Sequence, residues 1–125
     1  MSKPDVVKVV IIACKKIREQ GLCPGDAKCL IASMRKEGKF AQFGDKEVRV
    51  IAIVDCGECP GTRVGAVLTW LKPVLDKLGE KPDAVMVGTC IMRMCKYKDE
   101  ILERLKKICQ VPVIEGTHEY AAPFP

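Results

Sequence analysis

The sequence predicts an α/β fold: an open, mainly parallel four-stranded sheet with helices on both faces. Three observations predict it. Short apolar runs rich in β-branched residues recur at 6–13, 48–54, 84–87 and 111–114, and near-continuous runs of this kind belong to strands covered on both faces. Between them lie stretches with apolar residues at helical spacing. The intervals are long enough for right-handed crossovers, which parallel neighbours require, and the expected strand order is 2-1-3-4.

Each element has a local cause. Residues 6–13 (VVKVVIIA) form the first strand, which ends at Cys14, and residues 15–22 are polar and ambiguous. The turn Cys23-Pro24-Gly25-Asp26 places Asp26 to cap a helix in which Ala27, Leu30, Ile31 and Met34 form one stripe, until Gly38 stops it. Lys39 to Asp45 is a loop whose Phe40 and Phe43 fold back onto the core. The second strand ends at Asp55. It leads through Cys56-Gly57-Glu58-Cys59 and the turn Pro60-Gly61-Thr62 into a helix opening near Arg63. That helix carries Val64, Val67, Leu68, Leu71, Leu75 and Leu78 on one stripe and ends near Gly79. Pro73 inside it removes one intrahelical bond and should kink or shorten it. Lys81-Pro82-Asp83 turns the chain into the third strand, which runs out at Gly88-Thr89-Cys90. Residues 91–95 read as an apolar loop before a helix with Ile101, Leu102, Leu105, Ile108 and Cys109 on its inner face. The fourth strand tolerates Pro112 near its beginning or on an edge and leads into Glu115-Gly116-Thr117-His118. Residues 119–125 form an irregular tail, so 1–125 reads as a single domain, a three-layer sandwich of the flavodoxin-like or Rossmann-like kind.

At 125 residues, 48% hydrophobic and 30% charged, the chain can bury a sizeable core. No segment approaches the length of a membrane span. The first apolar run is broken by Lys8 and lacks a small-residue cleavage pattern, so it is not read as a secretory signal. A cytoplasmic location and no membrane partner are expected. The net charge of +5 does not make a nucleic-acid site: the basic residues are scattered, no aromatic set offers stacking, and Glu100 with Arg104 and Glu103 with Lys107 are i,i+4 pairs of a solvated helix face. No nucleic-acid partner is expected. Eight cysteines are the anomaly. In a reducing compartment they point to metal binding or redox chemistry, whereas in a secreted chain the even number would read as a disulfide framework.

The predicted topology gives those cysteines a place. Cys14, Cys56 and Cys90 each follow a strand, and His118 follows the fourth, so all four belong at one edge of the sheet. In open α/β sheets ligands bind outside those strand ends, where strand order reverses. Neighbouring strands lie about 4.8 Å apart, and sulfurs around one tetrahedral zinc lie roughly 3.8 Å apart, so adjacent strand ends can offer ligands to one ion or small cluster. Cys59 adds a thiol from the helix start. Cys23, Cys29 and Cys95 lie on loops or a first turn above the same edge. Cys109, on a helix stripe with Leu102 and Leu105, reads as a small core hydrophobe. A lone histidine such as His118 serves equally well to cap, to orient a ligand or to coordinate.

Taken together, Cys14, Cys23-Pro24-Gly25 with Cys29, Cys56-Gly57-Glu58-Cys59-Pro60-Gly61, Cys90 and Val113-Ile114-Glu115-Gly116-Thr117-His118 resemble the CGGC-domain proteins. The likeness covers most of the chain. It implies a prokaryotic metal-binding protein, zinc being the ion often associated with the family, and it gives the ligand role to Cys14, Cys23, Cys29, Cys56, Cys59, Cys90 and His118. Glu58 stands where the family's central motif has its second glycine, which adds a carboxylate beside the thiols.

Two chemistries compete. A thiolate-ligated metal centre, an iron–sulfur cluster favoured over zinc, would use Cys14, Cys56, Cys59 and Cys90 first, with Cys23, Cys29, Cys95 and His118 as further ligands or supporting groups. Soft thiolates suit both metals. A sheet of this size should not need a structural ion to fold, and cluster ligands can come from several loops, although neither common ferredoxin spacing is present. Such a centre would serve electron transfer or redox sensing with a redox protein as partner. The alternative is a thiol–disulfide oxidoreductase in which Cys59 or Cys56 attacks and the other resolves, the following helix activating the first thiol. That reading leaves the other cysteines at the edge unexplained. A cysteine phosphatase would need arginine six positions after the nucleophile, where this chain has Thr62. No glycine-rich dinucleotide fingerprint or P-loop occurs, so no nucleotide cofactor is expected.

Overall fold

The computed structural model describes residues 6–15, 27–57 and 63–117. Four strands, β1 (Val6–Ala13), β2 (Glu47–Asp55), β3 (Ala84–Val87) and β4 (Val113–Glu115), form one sheet in the order β2-β1-β3-β4. Every pairing is parallel. Among the described residues they are accompanied by the helices α1 (Ala27–Arg35), α2 (Val64–Leu78), α3 (Thr89–Met94) and α4 (Lys98–Ile108) and by a 3-10 helix at Gly38–Phe43. The expected three-layer α/β architecture and strand order are both present.

Strand alternation divides the core. Val10 and Ile12 of β1 face one layer with Val85 and Val87, packed under Val64 and Leu75 of α2, Ile91 of α3, and Ile101, Leu102 and Leu105 of α4. Val9 and Ile11 face the other with Met86, packed under Cys29 and Ala32 of α1 and the fully buried Phe40. Phe43 packs against this second layer, so both phenylalanines fold back as expected.

Several elements depart from the pattern in the sequence. The residues of β2 from Val50 to Asp55 are only half-buried, because this strand is an edge of the sheet and has a β neighbour on one side alone. On α1 the expected stripe is turned outward: Leu30, Ile31 and Met34 are exposed, and Cys29, Ala32 and Ser33 are buried. Small side chains let this helix sit close over the sheet while Phe40 fills the space beside it. Leu78 at the end of α2 and Ile108 at the end of α4, both expected on inner faces, are likewise exposed. Helix α2 runs through Pro73 to Leu78 and ends at Gly79, whose left-handed φ of 74° closes the helix with bonds to Asp76 and Leu75 carbonyls. Residues 91–95 are not a loop: α3 begins directly after Gly88, and Cys95 is its C-terminal cap. The fourth strand starts two residues later than expected. Pro112 precedes it and still contributes its carbonyl, which accepts the Val85 N–H at 2.9 Å.

Candidate metal centre

The carboxyl edge of the sheet is built by register. Ala13 pairs with Asp55, so the next residues, Cys14 and Cys56, leave adjacent strands side by side. This alignment depends on an irregularity: Val9 pairs with Val50 but Val10 pairs with Ala52, which leaves Ile51 as an extra residue in β2. Before the bulge Val48 and Val50 face the α1 layer; after it Ala52 and Val54 face the α2/α4 layer. Cys56 continues that second phase, and it is buried in the same cluster as Cys14. Were Ile51 to take a regular place in the ladder instead of bulging, strand alternation would send Cys56 to the opposite face from Cys14.

Cys90 reaches this place from β3. The Gly88 N–H donates to the Ile12 carbonyl at 2.7 Å, extending the ladder beyond the strand, and the first turn of α3 then carries the Cys90 Sγ back to accept the Cys14 N–H at 3.2 Å. Gly88 makes the approach feasible, since a Cβ there would lie 3.1 Å from the Ile12 oxygen and 3.2 Å from the Cys90 Sγ. Cys90 packs against the cluster that holds Cys14 and Cys56. Cys14, Cys56 and Cys90 are free thiols.

Cys29 arrives from the opposite layer. Its Sγ is 3.5 Å from the Thr117 Oγ1, just beyond β4. Burial is the main cause that pushes the Cys90 thiol up to about 11; the Cys14 N–H works against it, and negative charge on Cys14 or Cys29 raises it further. Cys14 and Cys29 are therefore within electrostatic reach of Cys90, and a cation placed beside Cys90 would oppose the burial penalty on its thiolate.

The remaining cysteines divide. Cys95 packs against the α2/α4 layer, and its Sγ accepts the Tyr97 N–H at 3.4 Å. Cys109 caps α4 and packs on the same layer, the hydrophobic role its helix position implied, and burial pushes its thiol up as well. Cys23, Cys59 and His118 lie outside the described residues, as does Glu58. Among the described residues no group of three or more histidine, cysteine, aspartate or glutamate side chains is gathered closely enough to hold a metal ion. The described thiols thus make a partial donor set.

Two residues without an assigned role in the sequence stand at the same edge. Thr89 and Thr117 are buried and bonded to each other in both directions, each N–H donating to the other's hydroxyl oxygen at 3.2 and 3.1 Å. A signal for them was present: Gly88-Thr89-Cys90 and Gly116-Thr117-His118 repeat one pattern, glycine, threonine, candidate ligand, after two strands.

No helix among the described residues is long and apolar enough to cross a membrane. No solved structure matches the chain. It is similar to an uncharacterised protein of Methanocaldococcus jannaschii, 34% identical over 119 residues, a stretch covering 90% of this chain and 87% of the relative. The CGGC domain matches residues 8–118, from the first strand to the last candidate ligand, and on that match the chain belongs to the CGGC-domain family.

Proposed function

We propose that this protein binds a thiolate-ligated metal centre at the carboxyl edge of its sheet, with Cys14, Cys56 and Cys90 as its nucleus. The observation that supports the reading is that these three cysteines follow three adjacent strands at one edge, Cys14 beside Cys56 by register and Cys90 bonded to the Cys14 N–H. Cys29 stands beside them, and Cys23, Cys59, Cys95 and His118 are the residues from which the coordination would be completed. The donor set is soft, which suits an iron–sulfur cluster or zinc.

The iron–sulfur cluster is the favoured occupant. A structural zinc is the usual solution for a chain with too little apolar surface to close a core, whereas here Val9, Ile11, Ile12, Phe40, Met86, Val87, Ile91 and Leu105 build one from aliphatic and aromatic side chains. A bound cluster supplies one-electron transfer, which would serve a redox protein partner or a sensing role. The chain's own contribution is to bury the sulfurs in an apolar layer and to direct the Cys14 N–H at the Cys90 Sγ, two levers that set the potential of such a centre. In the oxidoreductase alternative, burial weighs against Cys56 as the attacking thiol: it is 3% exposed, and a thiol that attacks a disulfide needs access.

Anaerobic purification followed by metal and acid-labile sulfide analysis tests the reading. Brown protein with iron and sulfide in similar amounts is the expected result, lost when Cys14, Cys56 or Cys90 is replaced by serine. Colourless protein with stoichiometric zinc would replace the cluster by the ion. Metal-free protein with a reversible Cys56–Cys59 disulfide would reject metal binding for the oxidoreductase.

A further inference from the structure

The buried threonine pair has more structure than a strand clamp requires. Thr117 is fixed on every side: the preceding Gly116 N–H donates to the Val87 carbonyl at 2.7 Å, the Thr117 carbonyl accepts the Lys39 N–H at 2.8 Å, and the Thr117 N–H donates to the Thr89 Oγ1 at 3.1 Å. Its hydroxyl oxygen accepts the Thr89 N–H at 3.2 Å, lies 3.4 Å from the Thr89 Oγ1 and lies 3.5 Å from the Cys29 Sγ. The residue is 0% exposed, so no bulk water competes for these contacts.

Proton inventory gives the network a direction once the sulfur binds a metal. A thiol can donate or accept, but a metal-bound thiolate has no proton and can only accept. At the Cys29 contact the Thr117 O–H must then be the donor. Its oxygen keeps two lone pairs, one for the Thr89 N–H and one for the Thr89 O–H, while the Thr89 oxygen accepts the Thr117 N–H. Every hydrogen-bonding group of the Thr117 side chain is then used, with one orientation left to its proton.

We propose that Thr117 is a positioning residue of the metal centre: its hydroxyl donates to the metal-bound sulfur of Cys29, while the Thr89 N–H holds the hydroxyl oxygen in place. This rests on the metal-binding reading above and deepens it by making Cys29 a ligand with a built outer partner. A hydrogen bond to a ligand sulfur draws electron density from it, moving sulfur-to-metal charge transfer to higher energy and raising the potential of a redox centre. Because Thr89 immediately precedes Cys90, the same pair also ties the backbone on which that candidate ligand stands.

Co(II) added anaerobically to the metal-free full-length chain reads this out as a sulfur-to-cobalt absorption band. Thr117→Val is expected to lower Co(II) affinity by about 10-fold or more and to shift the band to lower energy, and Thr117→Ser to restore both. Thr89→Val breaks the same backbone clasp but leaves the Thr117 hydroxyl free to donate, so its band should stay at the wild-type position. Equal shifts in Thr89→Val and Thr117→Val would make the pair a strand clamp only and overturn the proposal. So would a Cys29→Ser variant with an unaltered band, because Cys29 would then not be a ligand. If Thr117→Val does not fold, the wild-type protein decides: a metal–sulfur stretch that moves in deuterated water supports the hydrogen bond, and one that does not move overturns it. A wild-type chain with no sulfur-to-cobalt band would reject the metal reading itself, which separates that failure from failure of the role given to Thr117.

Discussion

Gly57 has a φ of +77°, and a Cβ on it would sit 2.6 Å from the Cβ of Arg63. Its N–H is held by the Asp55 Oδ1 at 2.8 Å, so the chain turns tightly immediately after Cys56. Gly57→Ala therefore meets both a left-handed backbone and a steric clash. It should cost about 2 kcal/mol or more in urea unfolding, and a loss within error of zero would show that the turn is looser than this. Cys90 gives a prediction in pH. Burial raises its thiol from 9.0 to about 11, so the folded metal-free protein keeps a proton that the unfolded chain releases. The resulting stabilisation is complete below pH 9 and lost as pH rises through 11, on the order of 2 kcal/mol. Denaturant midpoints of metal-free wild type and Cys90→Ala should converge across that range, and parallel curves would contradict the assignment. The cysteine positions were legible because each follows a short apolar run. The threonine pair was not, since threonine after glycine is common in turns and only the fold brings residues 89 and 117 together.

At the scale of the element, β2 and α1 show what periodicity hides. An apolar run reads the same with or without a bulge, yet the extra residue at Ile51 decides which face receives Cys56. Deleting Ile51 removes the bulge and should leave one regular ladder with Cys56 still beside Cys14 on the α2/α4 side, because Ala52 to Asp55 keep their partners. The expected result is a folded protein with far-UV circular dichroism close to wild type and undiminished bound metal; loss of bound metal comparable to Cys56→Ser would show that the bulge itself, and not the face of Cys56, is what the site needs. Helix α1 misleads in the opposite way, because its large apolar residues mark the outer face. Met34 is 73% exposed and Ala32 is 2% exposed. Met34→Lys should change stability by less than about 0.5 kcal/mol, while Ala32→Leu should cost about 1–3 kcal/mol by forcing the helix off the sheet. The reverse order in thermal or urea unfolding would restore the sequence-predicted stripe.

For the whole molecule, strand order was readable because four apolar runs separated by crossover-length segments leave few right-handed arrangements, and that order alone brings Cys14, Cys56 and Cys90 to one edge. Folding and metal binding are then separable. The layers on both faces of the sheet are filled mainly by aliphatic and aromatic side chains, with Cys14 and Cys56 in one and Cys29 in the other. A bound centre stabilises such a protein only through its affinity for the folded state, by RT ln(1 + [L]/Kd), and its removal subtracts that amount without exposing the core. Chelation or oxidative loss of the metal should therefore lower the thermal midpoint while leaving the helical far-UV signal and a cooperative transition. A chain that depends on its metal would instead unfold when stripped, as zinc fingers do. Circular dichroism before and after metal removal distinguishes the two: collapse to a disordered spectrum would mean that the sulfur edge organises the sheet, and retention would mean that the sheet presents the sulfurs.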